Sequence, residues 1–231
     1  MSESITIPRR FCGPPDSANG GYSAGALARY VDGPAEVTLR RPPPLGRPLR
    51  VEREEDRVML HDGDDLVAEA SPTTFDLDVP RPVEPETAAA ASLTSAFRNL
   101  ATHPFPTCFT CGPSREEGDG LRLFAGRVPG TDAFAALWTP DEVDDEIVWA
   151  ALDCPSCAVI YLDDDRPPPH VLGRIAVRID RPPVAGAPHV VMSWPRGHDG
   201  RKVHSASAIY DPGARLCAVA RATWIRLAPA L

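Results

Sequence analysis

Apolar and polar residues alternate in short runs along much of the chain, the period-two signature of half-buried strands. Six such runs span residues 47–54, 57–61, 65–74, 188–194, 202–210 and 215–226. Turn sequences separate them: Glu54-Glu55-Asp56, Asp62-Gly63-Asp64, His198-Asp199-Gly200 and Asp211-Pro212-Gly213. Residues 121–128 and 133–139 read as two more strands, with residues 5–11 as a short counterpart in the first half. Two segments follow a different rule. Residues 20–31 and 147–162 are small and apolar around most of a helical circumference, and such a helix is buried. Asn19 is a good N-cap for the first, and Asp32-Gly33-Pro34 stops it. Pro155 interrupts the second, which either kinks or restarts there. After Pro80, Pro82 and Pro85, residues 86–100 form an expected Ala-rich helix.

The pattern occurs twice. Arg41 to Val51 (RPPPLGRPLRV) and Arg181 to Val191 (RPPVAGAPHVV) match at six of eleven positions, at a constant offset of 140. The match resumes at an offset of 150, where Leu66-Val67-Ala68-Glu69-Ala70 corresponds to Leu216-Cys217-Ala218-Val219-Ala220. The extra residues fit a longer hairpin around Pro195 to Lys202. A repeat on this scale marks duplication of one supersecondary unit. The expected boundaries are 1–100, the first unit plus the linker helix, and 101–231, the second unit. The expected class is α+β, a helix wrapped by a curved antiparallel sheet, twice.

Composition narrows the function classes. A chain of 231 residues with 43% hydrophobic and 24% charged residues is an ordinary soluble composition. No apolar run reaches the roughly 18 residues needed to span a bilayer, so no membrane partner is expected. A net charge of −8 argues against nucleic acid as partner. Residues 1–10 contain no apolar core of a secretion signal, so the expected location is cytoplasmic with six reduced cysteines. Those cysteines include two CxxC pairs, Cys108/Cys111 and Cys154/Cys157, whose spacing invites a zinc reading. The second pair lies in an apolar stretch where cysteine also serves as a small buried residue. The six histidines show no HxxxH or HExxH spacing. No metal and no resident cofactor is the expectation adopted.

Local motifs carry a family resemblance. Asn19-Gly20-Gly21-Tyr22 resembles the histidine- or asparagine-Gly-Gly start of the central helix in hotdog-fold proteins. Cys108-Phe109-Thr110-Cys111-Gly112-Pro113, followed by Gly120-Leu121, resembles the opening segment of several hotdog thioesterases. Trp149-Ala150-Ala151-Leu152-Asp153 resembles the helix that carries their catalytic carboxylate, and Leu216-Cys217-Ala218 to Thr223-Trp224 their closing strand. With the duplication, the chain resembles a double hotdog of the acyl-CoA thioesterase superfamily. That resemblance implies hydrolysis or binding of acyl-CoA thioesters, with coenzyme A entering only as part of the substrate. In related hotdog dimers the site is shared across the interface. Here the halves are complementary: Asn19-Gly20-Gly21 comes from one and Asp153 from the other. Nine residues beyond Asn19 stands Ala28, and nine before Asp153 stands Asp144, so neither unit holds a full set. The implied arrangement is one composite site and one degenerate site. Aligning the helices through Tyr30 and Tyr161 instead sets Asp153 opposite Tyr22.

The chemistry then distributes over named residues. Asp153 and Asn19 are the catalytic candidates, Asp153 as general base or nucleophile and Asn19 positioning water or carbonyl. The alternative for Asp153 is an N-cap on a helix that begins near Pro155. Gly20, Gly21 and Tyr22 would meet the thioester at the helix N-terminus, where backbone N–H groups polarise a carbonyl. Cys157, four residues after Asp153, is a candidate pocket wall; as a nucleophile it would need a histidine, and none is near in sequence. Arg201 and Lys202 are the candidate phosphate contacts, with Arg40, Arg41, Arg47 and Arg50 in reserve. Residues 141–146 (DEVDDE) are a solvated acidic loop or helix start. Two other classes stay open: a non-catalytic acyl-binding protein, and a lyase on enoyl- or hydroxyacyl-thioesters. A homodimer of such chains is the expected assembly.

Overall fold

Strand pairing begins within each half, and a single seam then joins the halves. The computed structural model describes residues 3–228. The first half runs β1 (Ser4–Thr6), α1 (Gly20–Ala28), β2 (Ala35–Leu39), β3 (Pro48–Arg53), β4 (Val58–Asp62) and β5 (Asp65–Pro72). Helix α2 (Pro85–Leu93) follows. The second half runs β6 (Gly126–Arg127), β7 (Phe134–Trp138), α3 (Asp145–Cys157), β8 (His170–Ile179), β9 (His189–Asp199), β10 (Lys202–Tyr210) and β11 (Leu216–Arg226). All strands join one sheet in the order β1-β3-β4-β5-β2-β8-β11-β10-β9-β7-β6. That order reads nearly the same from both ends.

The register repeats with the sequence. Arg40 and Arg41 both donate their backbone N–H to Val67 O, and Asp180 and Arg181 both donate theirs to Cys217 O. These are the same two bonds at offsets of 140 and 150. At the seam, β2 and β8 run antiparallel with Ala35 opposite Val177 and Val37 opposite Ile175. The two pairs exchange under the offset of 140, so the seam is self-complementary, as a two-fold interface must be. Glu36 at its centre takes Arg174 at 3.3 Å and Arg221 at 3.4 Å.

Both helices lie on one side of the sheet and pack on each other. Seven of the nine residues of α1 are buried, and α3 is buried from Glu146 to Cys157. One apolar core, including Leu27, Leu60, Phe109, Leu152, Ile175 and Ile209, spans both halves. Ser207 Oγ and Ser193 Oγ donate to Leu152 O and Pro155 O at 2.7 and 2.6 Å, tying α3 to the strands beneath it. Helix α2 packs its Ala88 and Ala91 on Val190, Met192 and Tyr210 of the second half.

Several sequence expectations need correction. Residues 121–128 are a strand only at Gly126–Arg127. Leu121 and Leu123 spend their N–H groups on Phe109 O and Thr110 O, and Arg122 between them has φ 49°, so the segment wraps the CxxC loop. The linker helix stops at Leu93; Ser95 is extended, donates to Ala125 O, and caps a separate 3-10 turn at Ala96–Arg98. Helix α1 ends at Ala28, after which Tyr30 and Val31 close tighter turns to Leu27 O and Ala28 O. No helix begins near Pro155. Helix α3 is continuous through it, its N-cap is Asp144, and a 3-10 turn, Ala158–Tyr161, follows. Asp153 is therefore mid-helix and caps nothing. Of the acidic run, Asp144 caps α3 and Asp145 and Glu146 form its first turn.

Candidate active site

Close contact between the two helices starts with two glycines. A Cβ on Gly21 would lie 2.5 Å from Asp153 Cβ and 2.6 Å from Trp149 O. One on Gly25 would lie 2.9 Å from Glu146 Cα and 3.0 Å from Trp149 Cβ. Glycine at both points lets the backbone of α1 rest directly on α3. The N-terminus of α1 thereby meets the middle of α3.

At that meeting point Asn19 and Asp153 join. Asn19 Oδ1 accepts from Tyr22 N at 2.8 Å, capping α1. Asn19 Nδ2 donates to Asp153 Oδ2 at 3.1 Å, and Gly21 N donates to the same oxygen at 2.9 Å. Asp153 Oδ1 is buried with no hydrogen-bond partner among the described residues. A carboxyl group 1% exposed is thus held from one side and free on the other. Burial pushes Asp153 up to about 7, against the lowering effect of the Gly21 and Asn19 donors. The amide of Gly20, the first residue of α1, has no hydrogen-bond partner among the described residues. It is one of the orphan donors a helix N-terminus always leaves.

Other expected site residues fall at graded distances. Gly20 faces Leu172 and Leu39. Tyr22 is half-buried, stacked on Phe11 at 3.8 Å between centroids, with Phe109 edge-on. Cys157 is buried on α3 one turn beyond Asp153, with no hydrogen bond to the site. Arg201 and Lys202 lie exposed at the β9–β10 turn and form no ion pair among the described residues. Arg40, Arg41, Arg47 and Arg50 are paired with Glu69, Asp65, Asp62 and Glu52. At the position expected for a degenerate counterpart, Asp144 is exposed and Ala28 ends α1 with no carboxylate. A cavity of about 300 Å³ opens there beside Ala28, Asp145 and Trp149. Another of about 370 Å³ lies along Tyr22, Arg29, Tyr30 and Glu146. Asp153 lines neither.

The pair spacing in the sequence did not show that two thiols, one from each CxxC pair, lie against Asn19. Its Nδ2 lies 3.7 Å from Cys108 Sγ and 3.8 Å from Cys154 Sγ. Thr110 Oγ1 donates to Ala150 O at 3.2 Å and pins the CxxC loop onto α3.

The architecture has counterparts among solved structures. A conserved hot dog fold protein from Alicyclobacillus acidocaldarius superposes with a TM-score of 0.63 at 11% identity, covering 98% of this chain and 93% of that one. The acyl-CoA thioesterase II TesB2 of Mycobacterium marinum gives 0.58 at 12% identity, covering 98% and 93%. The chain is a double hotdog. The duplication itself is written in this chain, in its repeat at offsets of 140 and 150 and in a strand order that reads nearly the same from both ends. A dehydratase domain of RzxB from Pseudomonas fluorescens gives 0.50 at 16% identity, covering 90% and 85%, so the double hotdog hosts more than one chemistry. No protein-family model and no curated protein matches the sequence.

Proposed function

We propose that this double hotdog hydrolyses acyl-CoA thioesters at the composite site between its halves. One observation carries the reading: a buried carboxylate of α3 is anchored through one oxygen by the N-terminus of α1, leaving the other oxygen free. In the proposed reaction, the thioester oxygen accepts from the Gly20 N–H. Water attacks the carbonyl carbon and its proton passes to Asp153 Oδ1. The tetrahedral oxyanion is stabilised by the same amide and the helix N-terminus behind it. The C–S bond then breaks, and the departing thiolate takes the proton back from Asp153. Asn19 keeps the carboxylate oriented. Arg201 and Lys202, exposed on their turn with no ion pair among the described residues, are proposed for the phosphates of coenzyme A. The six free thiols fit a reducing cytoplasm. No helix among the described residues is long and apolar enough to cross a membrane.

A second reading has its own observation. Asp153 is closed off from both cavities, as suits a protein that holds an acyl ligand without turning it over. The lyase reading is weaker, since no histidine bonds Asp153 among the described residues. The test is a panel of short, long and aromatic acyl-CoAs assayed for free thiol release, with binding followed in parallel. Turnover that depends on Asp153 supports hydrolysis. Saturable binding without turnover moves the function to the second reading, and neither turnover nor binding removes both.

A further inference from the structure

Thioester chemistry leaves unexplained why three cysteines, two from one loop and one from α3, converge beside Asn19. The Sγ atoms of Cys108, Cys111 and Cys154 all lie within 4.8 Å of one another, and Cys108 and Cys154 are 3.6 Å apart. All three are buried. Sulfurs bound to one tetrahedral zinc at about 2.3 Å stand roughly 3.8 Å apart, so the cluster already has the required size.

The local backbone is built for the convergence. Cys108 and Cys111 flank a tight turn closed by Gly112 N to Cys108 O at 2.8 Å. A Cβ on Gly112 would fall 2.5 Å from Cys108 O and 2.6 Å from Cys108 N, so the turn admits only glycine. This C-x-x-C-G turn is pinned by Thr110 to Ala150, one helical turn before Cys154. The third sulfur thus projects from α3 toward the first two. Asn19 Nδ2 points at two of the sulfurs, the kind of N–H donor that supports metal-bound thiolates. Asp153 Oδ2 lies 4.0 Å from Cys154 Sγ. Cys157, the other half of the second CxxC pair, is not part of the group.

We propose that Cys108, Cys111 and Cys154 bind one zinc ion as thiolates, with an oxygen in the fourth position. Soft sulfur donors in a tetrahedral set select zinc over the hard divalent cations. Binding displaces the three thiol protons to solvent, so it strengthens as pH rises. The inference stands apart from the thioesterase reading, because a bound zinc is measured without any substrate.

The full-length protein, expressed with zinc supplied, is analysed for metal per chain by plasma mass spectrometry. It is then stripped with a chelator and titrated with Co²⁺ while absorbance is recorded. The expected result is one zinc per chain and, with cobalt, an intense near-ultraviolet sulfur-to-metal band. Cys108→Ser and Cys154→Ser lose the stoichiometric zinc, and Cys217→Ala keeps it. Because a serine variant can fail by unfolding, the wild type is also titrated with a thiol reagent under native conditions. Three of the six thiols gain reactivity when chelator is added. A folded wild type that retains no zinc and shows no cobalt band overturns the proposal. So does a Cys108–Cys154 disulfide found in protein purified under reducing conditions.

Discussion

Replacing Gly21 with alanine attacks the contact on which the composite site depends. The new methyl would stand 2.5 Å from Asp153 Cβ, 2.6 Å from Trp149 O and 3.0 Å from Ala150 Cα. These belong to the backbone and Cβ positions of a buried helix, so none can swing away. Ordinary contact begins near 3.4 Å, so the helices must separate by about 0.9 Å. Overpacking of this kind costs about 1–3 kcal/mol, and three simultaneous contacts place Gly21→Ala at the upper end. Helix propensity returns about 1 kcal/mol, leaving a net loss of about 2 kcal/mol. For a chain of this length that lowers Tm by about 4–8 °C. The same separation stretches the 2.9 Å bond from Gly21 N to Asp153 Oδ2 beyond hydrogen-bond range. A misplacement of about 1 Å can cost roughly 10²-fold in rate. For stability alone, the matched comparison is Gly20→Ala, whose methyl would stand nearest Leu172 Cδ2 at 2.9 Å, Leu172 Cβ at 3.0 Å and Leu39 Cδ1 at 3.2 Å, a milder clash. Thermal unfolding followed by circular dichroism, with hydrolysis measured on the same samples, reads both effects. A Gly21→Ala protein as stable as wild type, or no worse than Gly20→Ala, refutes the helix contact described here.

Other consequences are separable. Asn19→Ala removes the cap of α1 and should cost about 1 kcal/mol; Asn19→Ser restores the cap but not the Nδ2 donor to Asp153, so stability should recover while turnover stays low. The β2–β8 seam makes the halves one sheet, so unfolding should be a single transition. All four tryptophans (Trp138, Trp149, Trp194, Trp224) lie in the second half, so fluorescence reports that half and circular dichroism the whole. Denaturant midpoints that differ between the two probes would contradict the shared sheet. Reversing the charges of Arg201 and Lys202 together should raise KM for acyl-CoA with little change in kcat, and an unchanged KM would remove them from the site.

The duplicated strands were legible because a half-buried strand writes its register as alternation, and the two copies confirm each other at offsets of 140 and 150. The buried character of α1 and α3 was legible from their small apolar residues. The stretch before β6 was not. Its leucines look like a strand, but their N–H groups serve the CxxC loop, and nothing local announces that long-range debt. Pro155 misled in a similar way. Helix α3 continues through it, with Pro155 O and Leu152 O held by Ser193 of β9 and Ser207 of β10. Asn19 and Asp153 were found as separate motifs, while the hydrogen bonds joining them arise only from the Gly21 contact. The cysteine cluster draws one residue of the second CxxC pair, while Cys157, a turn further along α3, is not among the three.

Hydrolysis at this site turns on Asp153 taking the proton of the attacking water. The most direct measurement is kcat/KM on the best acyl-CoA for wild type and Asp153→Asn, with both shown folded by circular dichroism. The substitution keeps an oxygen to accept from Gly21 N and removes the base. The expected result is a fall of at least about 10²-fold. A folded Asp153→Asn protein that hydrolyses the thioester at the wild-type rate would contradict it.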